Sequence, residues 1–183
     1  MRILVTGALG QLGTTIRNYA RKLDETNDYF YTDIVGNKIV LLDGIQDPGN
    51  LGTIIRSSLA FNVSCIVLSK TCVDLYNPKV LRATQGMIFH IPIIIKDTKD
   101  VIDDMYEKKI PVYGTSVVNG IIPKNLTSEE KSKFCLIMGN EGNGLSNELL
   151  KLCDKNLYIP MNSKVESLNV SVACSILLYE LGR

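Results

Sequence analysis

The residues best suited to chemistry in this 183-residue chain cluster late in the sequence. They run Gly139-Asn140-Glu141-Gly142-Asn143-Gly144-Leu145-Ser146, then Ile159-Pro160-Met161-Asn162, then Glu166-Ser167-Leu168-Asn169-Val170. A carboxylate, several Asn amides and a serine hydroxyl lie in or beside turns. Three glycines within six positions, Gly139, Gly142 and Gly144, remove side chains that would keep a ligand off the backbone and permit φ > 0 where the chain turns sharply. Upstream, Asn50-Leu51-Gly52-Thr53-Ile54-Ile55-Arg56 adds another amide and a guanidinium. Singly, each stretch also reads as an ordinary turn, since Gly and Asn are common turn residues. The only histidine, His90, stands apart, and no His, Asp and Cys cluster has the look of a metal site.

The elements that must position these residues alternate between strand and helix. Strand patterns fall at Lys38–Asp43, Ser64–Ser69, Ile91–Ile95, Pro111–Ser116, Phe134–Met138 and Asn156–Ile159. Helical patterns fall between them: Asn50, as N-cap, through about Phe61; Pro78–Gln85 with proline in the first turn; Thr98–Lys109 with Thr98 as cap; Ser146–Cys153; and Leu168–Leu181. Residues 117–133 form the longest irregular stretch. Such alternation predicts an α/β fold, a parallel sheet covered by helices on both faces. Loops at strand ends are where open sheets of this kind bind ligands. His90, at a strand start, reads as a packing residue.

Taken in order, the segments resemble the three motifs of the SpoU (TrmH-type) family of RNA ribose 2′-O-methyltransferases, in the SPOUT superfamily. The forms are N-x-G-x-x-x-R from Asn50, G-N-E-G-x-G-L-S from Gly139, and I-P-M…E-S-L-N-V-S-V-A from Ile159; the resemblance covers about residues 37–183. It implies S-adenosylmethionine as cofactor and an RNA substrate, ribosomal or transfer. It also implies a homodimer and a C-terminal trefoil knot, although chains are as a rule unknotted. Thr115, Ser116, Gly139, Asn140, Gly142, Ile159, Met161 and Leu168 would line the cofactor. Arg56, Asn50, Glu141, Ser167 and Asn169 would surround the acceptor, with Glu141 orienting Arg56 or Asn50. A guanidinium gives up its proton only at great cost and is a poor base, so Arg56 suits a phosphate or a developing alkoxide better. Asn143 stands where many relatives carry Arg or Lys, which removes one RNA contact.

Residues 1–35 carry a different resemblance. Arg2-Ile3-Leu4-Val5, Thr6-Gly7-Ala8-Leu9-Gly10-Gln11-Leu12-Gly13, a helical stretch to about Leu23 and a strand ending at Asp33 resemble the first βαβ of an extended short-chain dehydrogenase or epimerase. The Y-x-x-x-K pair of that class is absent: Tyr76 and Tyr106 are followed by lysine at the third position, not the fourth. The segment reads as a fused or remnant piece, with a boundary at Val35-Gly36-Asn37. Two rival functions stay open. One is a knotted module that binds RNA or cofactor without catalysis; the other is an NAD(P)-dependent oxidoreductase, favoured by residues 6–13 alone.

Composition bounds these readings. Apolar content of 45% with 21% charged residues is that of a soluble globular chain, and no apolar run has the length of a membrane span. The N-terminus lacks the apolar stretch of a signal peptide. Five scattered cysteines without a C-x-x-C pair read as free thiols in a reducing cytoplasm. A net charge of +1 gives RNA little general attraction, so any basic surface must come from clustering, as at Lys79 with Arg82 or Lys131 with Lys133.

Overall fold

The computed structural model describes Ile34 and residues 36–118 and 120–182, within a unit that begins at Ile34. The βαβ reading of residues 1–35 therefore falls, but for Ile34, outside the described residues.

Six strands form one sheet: β1 (Lys38–Leu42), β2 (Cys65–Leu68), β3 (Ile93–Ile95), β4 (Val112–Ser116), β5 (Phe134–Met138) and β6 (Lys155–Tyr158). Their order is β3-β2-β1-β5-β4-β6, and every pairing is parallel. Period-two alternation divides the core. Val40 and Leu42 face one layer while Ile39 and Leu41 face the other, all fully buried. The first layer holds α1 (Pro48–Ala60), α2 (Pro78–Ala83) and, after the described helices α3 (Thr98–Glu107), α4 (Ser128–Ser132) and α5 (Asn147–Leu152), the closing helix α6 (Val170–Leu181). Helices α3 and α5 cover the opposite face.

Two caps differ from the sequence reading. Asp47, not Asn50, caps α1: its carboxylate accepts from the Asn50 backbone N–H at 2.8 Å, with Pro48 in the first turn. Asn50 is thereby carried into the helix and its side chain released for other work. Asp97 likewise caps α3 by accepting from the Lys99 N–H at 3.0 Å, while the Thr98 hydroxyl donates to Asp43 at 2.7 Å. The irregular stretch 117–133 contains a short 3-10 turn at Pro123–Asn125 and α4, which is fixed by a reciprocal capping box between Thr127 and Glu130. His90 does not pack in the core; it is exposed just after a 3-10 turn at Met87–Phe89.

Sheet order places the site. From β1 the chain moves outward through β2 and β3, then returns on the other side, where β5 inserts between β1 and β4. The loops leaving β1 and β5 therefore diverge from adjacent strand ends, a topological switch point. β6 pairs with β4 at the sheet edge, so the loop after it must come back across this end to reach α1. It does so: the Asn169 amide donates to Asn50 Oδ1 at 2.9 Å, and α6 packs on α1 through a 2.7 Å Ser57–Ser175 hydroxyl contact and an edge-to-face Phe61–Tyr179 pair.

Candidate functional site

Two cavities share this end of the sheet. The first, about 530 Å³, is lined by Gln46, Asp47 and Asn50 from the α1 entry, Asn140 and Glu141 from the β5 loop, and Ser167, Leu168, Asn169 and Val170 before α6. The second, about 320 Å³, lies between the β4 and β5 ends and the 159–168 return. Asn140, Glu141, Ser167, Leu168 and Val170 belong to both. The first is lined mainly by polar residue types, with Leu168 and Val170 among them. The second mixes the Gly139 and Gly142 positions and the Thr115 and Ser116 hydroxyls with Ile159, Met161, Leu168 and Leu177, the mostly apolar lining of a small-molecule pocket.

A single hydrogen-bonded chain ties the three segments. Glu141 accepts from the Asp47 N–H at 3.0 Å, the Gln46 N–H at 3.1 Å and the Asn50 amide at 3.2 Å. Asn50 in turn accepts from Asn169, whose own carbonyl oxygen caps α6 through the Ser171 N–H at 2.9 Å. This polarity fixes both amides: each spends one N–H inside the chain and retains a second. Partial burial opposes the Glu141 charge, but the backbone donors of Asp47, Glu141 itself and Gln46 and the Asn50 amide outweigh it, holding its carboxyl below the usual range. Glu141 is thus a fixed negative acceptor.

The β5 loop is shaped by close backbone packing. A Cβ on Gly139 would stand 2.3–2.5 Å from Gly144 and Leu145 backbone atoms, so only glycine lets the loop fold back on its strand. Gly144 has φ +64° with open space around it, and there the conformation itself favours glycine. Asn140 locks the turn, accepting from the Gly142 N–H at 2.8 Å and donating to Gly44 O at 2.8 Å across the β1–β5 switch.

All eight residues expected around the cofactor, Thr115, Ser116, Gly139, Asn140, Gly142, Ile159, Met161 and Leu168, line the second cavity. Of the acceptor set, Asn50, Glu141, Ser167 and Asn169 line the first. Arg56 lines neither. It lies six residues beyond Asn50, about 9 Å along α1, exposed and without a hydrogen bond or ion pair among the described residues. Glu141 is bonded to Asn50 and not to Arg56. Sequence reasoning missed Gln46 and Asp47, whose backbone N–H groups Glu141 holds; the signal was the polar pair directly before Pro48. Among the described residues no group of three His, Cys, Asp or Glu could hold a metal ion, and no helix is long and apolar enough to cross a membrane.

The fold is a parallel α/β domain with two adjoining cavities at its switch point. The SpoU rRNA methylase family model matches residues 37–179, and the chain belongs to that family. It is 42% identical over 144 residues to the 23S rRNA (guanosine(2553)-2′-O)-methyltransferase RlmP of Bacillus subtilis, covering 79% of this chain and 57% of that protein. An AdoMet-bound rRNA methyltransferase structure from Sinorhizobium meliloti superposes with a TM-score of 0.73 at 33% identity, over 82% of this chain and 57% of the other. The SpoU methyltransferase AviRb of Streptomyces viridochromogenes with AdoMet gives 0.73 at 31%, over 81% and 61%. The chain thus spans little more than half the length of the curated relatives it matches.

Proposed function

We propose that residues 36–183 form a methyltransferase domain that moves a methyl group from S-adenosylmethionine to a ribose 2′-hydroxyl of ribosomal or transfer RNA. The observation that carries this reading is the pair of adjoining cavities that share Asn140, Glu141, Ser167 and Leu168. One suits a nucleoside with an amino-acid tail, and the other is open and polar enough for a ribose. The cofactor fits the smaller cavity by size and lining: about 320 Å³ lies in the small-molecule range, with apolar Ile159, Met161 and Leu168 for flat surfaces and loop backbone for polar edges. When bound, S-adenosylmethionine supplies a methyl group already activated on a sulfonium.

The chain's own residues hold and align the acceptor, which is where in-line transfer gains most. The spare N–H groups of Asn50 and Asn169 are available to the acceptor oxygen, and Ser167 stands beside them. Glu141, held anionic below its usual range, is a weak base and acts by fixing Asn50 and the α1 entry. The hydroxyl proton leaves to water in the open polar cavity. Arg56, at the outer end of α1, serves the flanking phosphate through its planar fork of donors. We also read the return segment 159–169 as the tuck of a trefoil knot. A homodimer is supported by the apolar stripe Val172, Ile176 and Tyr179 on α6, each 37–47% exposed, and the cytoplasm is the compartment that reading implies.

The position of Arg56 outside both cavities favours a second reading, a binding module of the same fold without catalysis. Incubation with methyl-labelled S-adenosylmethionine and total RNA, followed by nucleoside analysis, separates the two. The expected product is one 2′-O-methylated nucleoside; cofactor binding with no label in RNA sinks the catalytic reading.

A further inference from the structure

The near-neutral net charge conceals a segregation by layer. On the face that carries the acceptor cavity, α1 bears only Arg56, α2 bears Lys79 and Arg82 with no carboxylate, and α6 bears only Glu180, while α4, tied to this layer by the Tyr113 hydroxyl on Glu130 O, adds Glu129, Glu130 and Lys131. On the opposite face, α3 sets Lys99 against Asp100, Asp103, Asp104 and Glu107. Pairing differs too. Lys96 is bonded to Asp104 and Lys99 to Glu148 on the opposite face, and Lys155 to Glu130 on the acceptor face, whereas Arg56, Lys79 and Arg82 are exposed and have no carboxylate partner among the described residues. The carboxylates nearest in sequence are occupied locally: Asp47 caps α1, and Asp74 accepts from the Tyr76 N–H at 3.0 Å.

Geometry joins the three cations into one ridge. Gly52 and Ala83 bring α1 and α2 into direct contact, so near that a Cβ on Gly52 would fall 2.3 Å from that of Ala83. Arg56 lies one turn beyond Gly52 on the same side of α1, Arg82 directly precedes Ala83, and Lys79 is three residues before Arg82. The Arg82 Nε–H lies 3.4 Å from Pro78 O, which aligns the side chain along α2 and leaves its terminal N–H groups to the outside. The same α1 carries Asn50 at its other end, in the acceptor cavity.

We propose that Lys79 and Arg82 of α2, continued by Arg56, form a phosphate-binding ridge that holds the RNA strand flanking the methylated nucleotide. The proposal rests on the RNA reading above and adds the path: the strand leaves the acceptor cavity over α1 and crosses α2, away from the acidic α3 face. Unpaired cations on a polyanion's path raise affinity without reading sequence, so this ridge supplies grip and register while the cavity supplies the choice of ribose.

The test is fluorescence anisotropy with a labelled single-stranded RNA of mixed sequence, measured across a salt series on the full chain. The proteins are wild type, Lys79→Gln/Arg82→Gln, and Lys99→Gln as a control on the acidic face. The expected result is roughly tenfold weaker binding by the double variant at low salt and a salt slope shallower by about 1.4, at about 0.7 per released phosphate contact. S-adenosylmethionine affinity by calorimetry should be unchanged, and Lys99→Gln should match wild type. Unaltered affinity and slope in a folded double variant overturn the proposal, as does equal weakening by Lys99→Gln. If the double variant fails to fold, Lys79→Gln alone serves, with a salt slope shallower by about 0.7 expected; an unchanged slope in that folded variant overturns the proposal. Preference for polyglutamate over RNA, lost in the variant, overturns it in favour of an acidic protein partner. Wild type that binds the RNA through the ridge but never methylates it leaves the ridge standing and removes the activity reading instead.

Discussion

Gly139 and Gly142 stand three residues apart in one glycine-rich turn and both line the smaller cavity, yet alanine should have opposite consequences at the two sites. At Gly139 the new Cβ would lie 2.3 Å from Gly144 C, 2.4 Å from Leu145 N and 2.5 Å from Gly144 O, all backbone atoms. No rotamer relieves such a contact, so the 140–145 turn must move by about 1 Å away from β5, at an overpacking cost of about 1–3 kcal/mol. For a chain of this size that is a fall in Tm of roughly 2–12 °C. The moved turn carries Asn140 and Glu141, which line both cavities, and a misplacement of about 1 Å can reduce methyl transfer by about 100-fold. At Gly142 the nearest atom to a new Cβ is Asn140 Oδ1 at 3.4 Å, and φ is not positive, so Gly142→Ala should stay within about 0.5 kcal/mol of wild type. Thermal melts and calorimetry with S-adenosylmethionine read both variants side by side. Equal tolerance at the two positions, or greater damage at Gly142, would refute the claim that backbone approach at Gly139 shapes this site.

Arg56→Ala should weaken methyl transfer by roughly tenfold, mainly through a raised KM for RNA, while leaving S-adenosylmethionine affinity within about threefold and the fold intact, since an exposed helix arginine contributes well under about 1 kcal/mol; calorimetry showing the cofactor lost with the activity would place Arg56 on the cofactor side instead. Lys155 first, then the Thr127 N–H and hydroxyl, hold Glu130 down at about 2 from its ordinary 4.5. Its contribution to stability is therefore complete above about pH 4.5 and is lost as pH falls toward 2. Glu130→Gln should accordingly flatten the acid limb of a stability–pH curve, and an unchanged limb would count against the pairing. Removing Met1–Val35 should leave S-adenosylmethionine binding unaltered, because every described residue lining either cavity lies beyond Gly44. Tight nicotinamide dinucleotide binding by the full chain, lost on that truncation, would overturn the reading of the segment as a remnant.

The sheet was legible because its strands are buried on both faces and read as apolar runs; Phe134–Met138 is found where the pattern puts it. That the eight residues lining the smaller cavity would gather was legible through the resemblance of their three ordered segments to a known family, not through composition. The α1 cap was not. Asp47 and Asn50 are both good caps three residues apart, and only the bond from the Asn50 N–H to Asp47 decides between them. Sheet order was equally hidden, since no strand pattern says that β5 inserts between β1 and β4. Charge segregation needed both at once: +1 says nothing about which helices share a face.

The misplaced cap matters beyond bookkeeping of helix ends. Had Asn50 capped α1, its oxygen would be spent on the helix's own N–H groups. Because Asp47 takes that task, the Asn50 amide is left to accept from Asn169 and donate to Glu141, and three segments distant in sequence become one hydrogen-bonded unit. Glu141 completes the unit from the other side by holding the Gln46 and Asp47 N–H groups, so the residue that caps α1 is itself positioned by the β5 loop. The two cavities cannot then reshape independently: displacement of the glycine-rich turn around one ligand pulls on the α1 entry that lines the other. Coupling between the two cavities is the expected consequence of their shared residues and shared bonds.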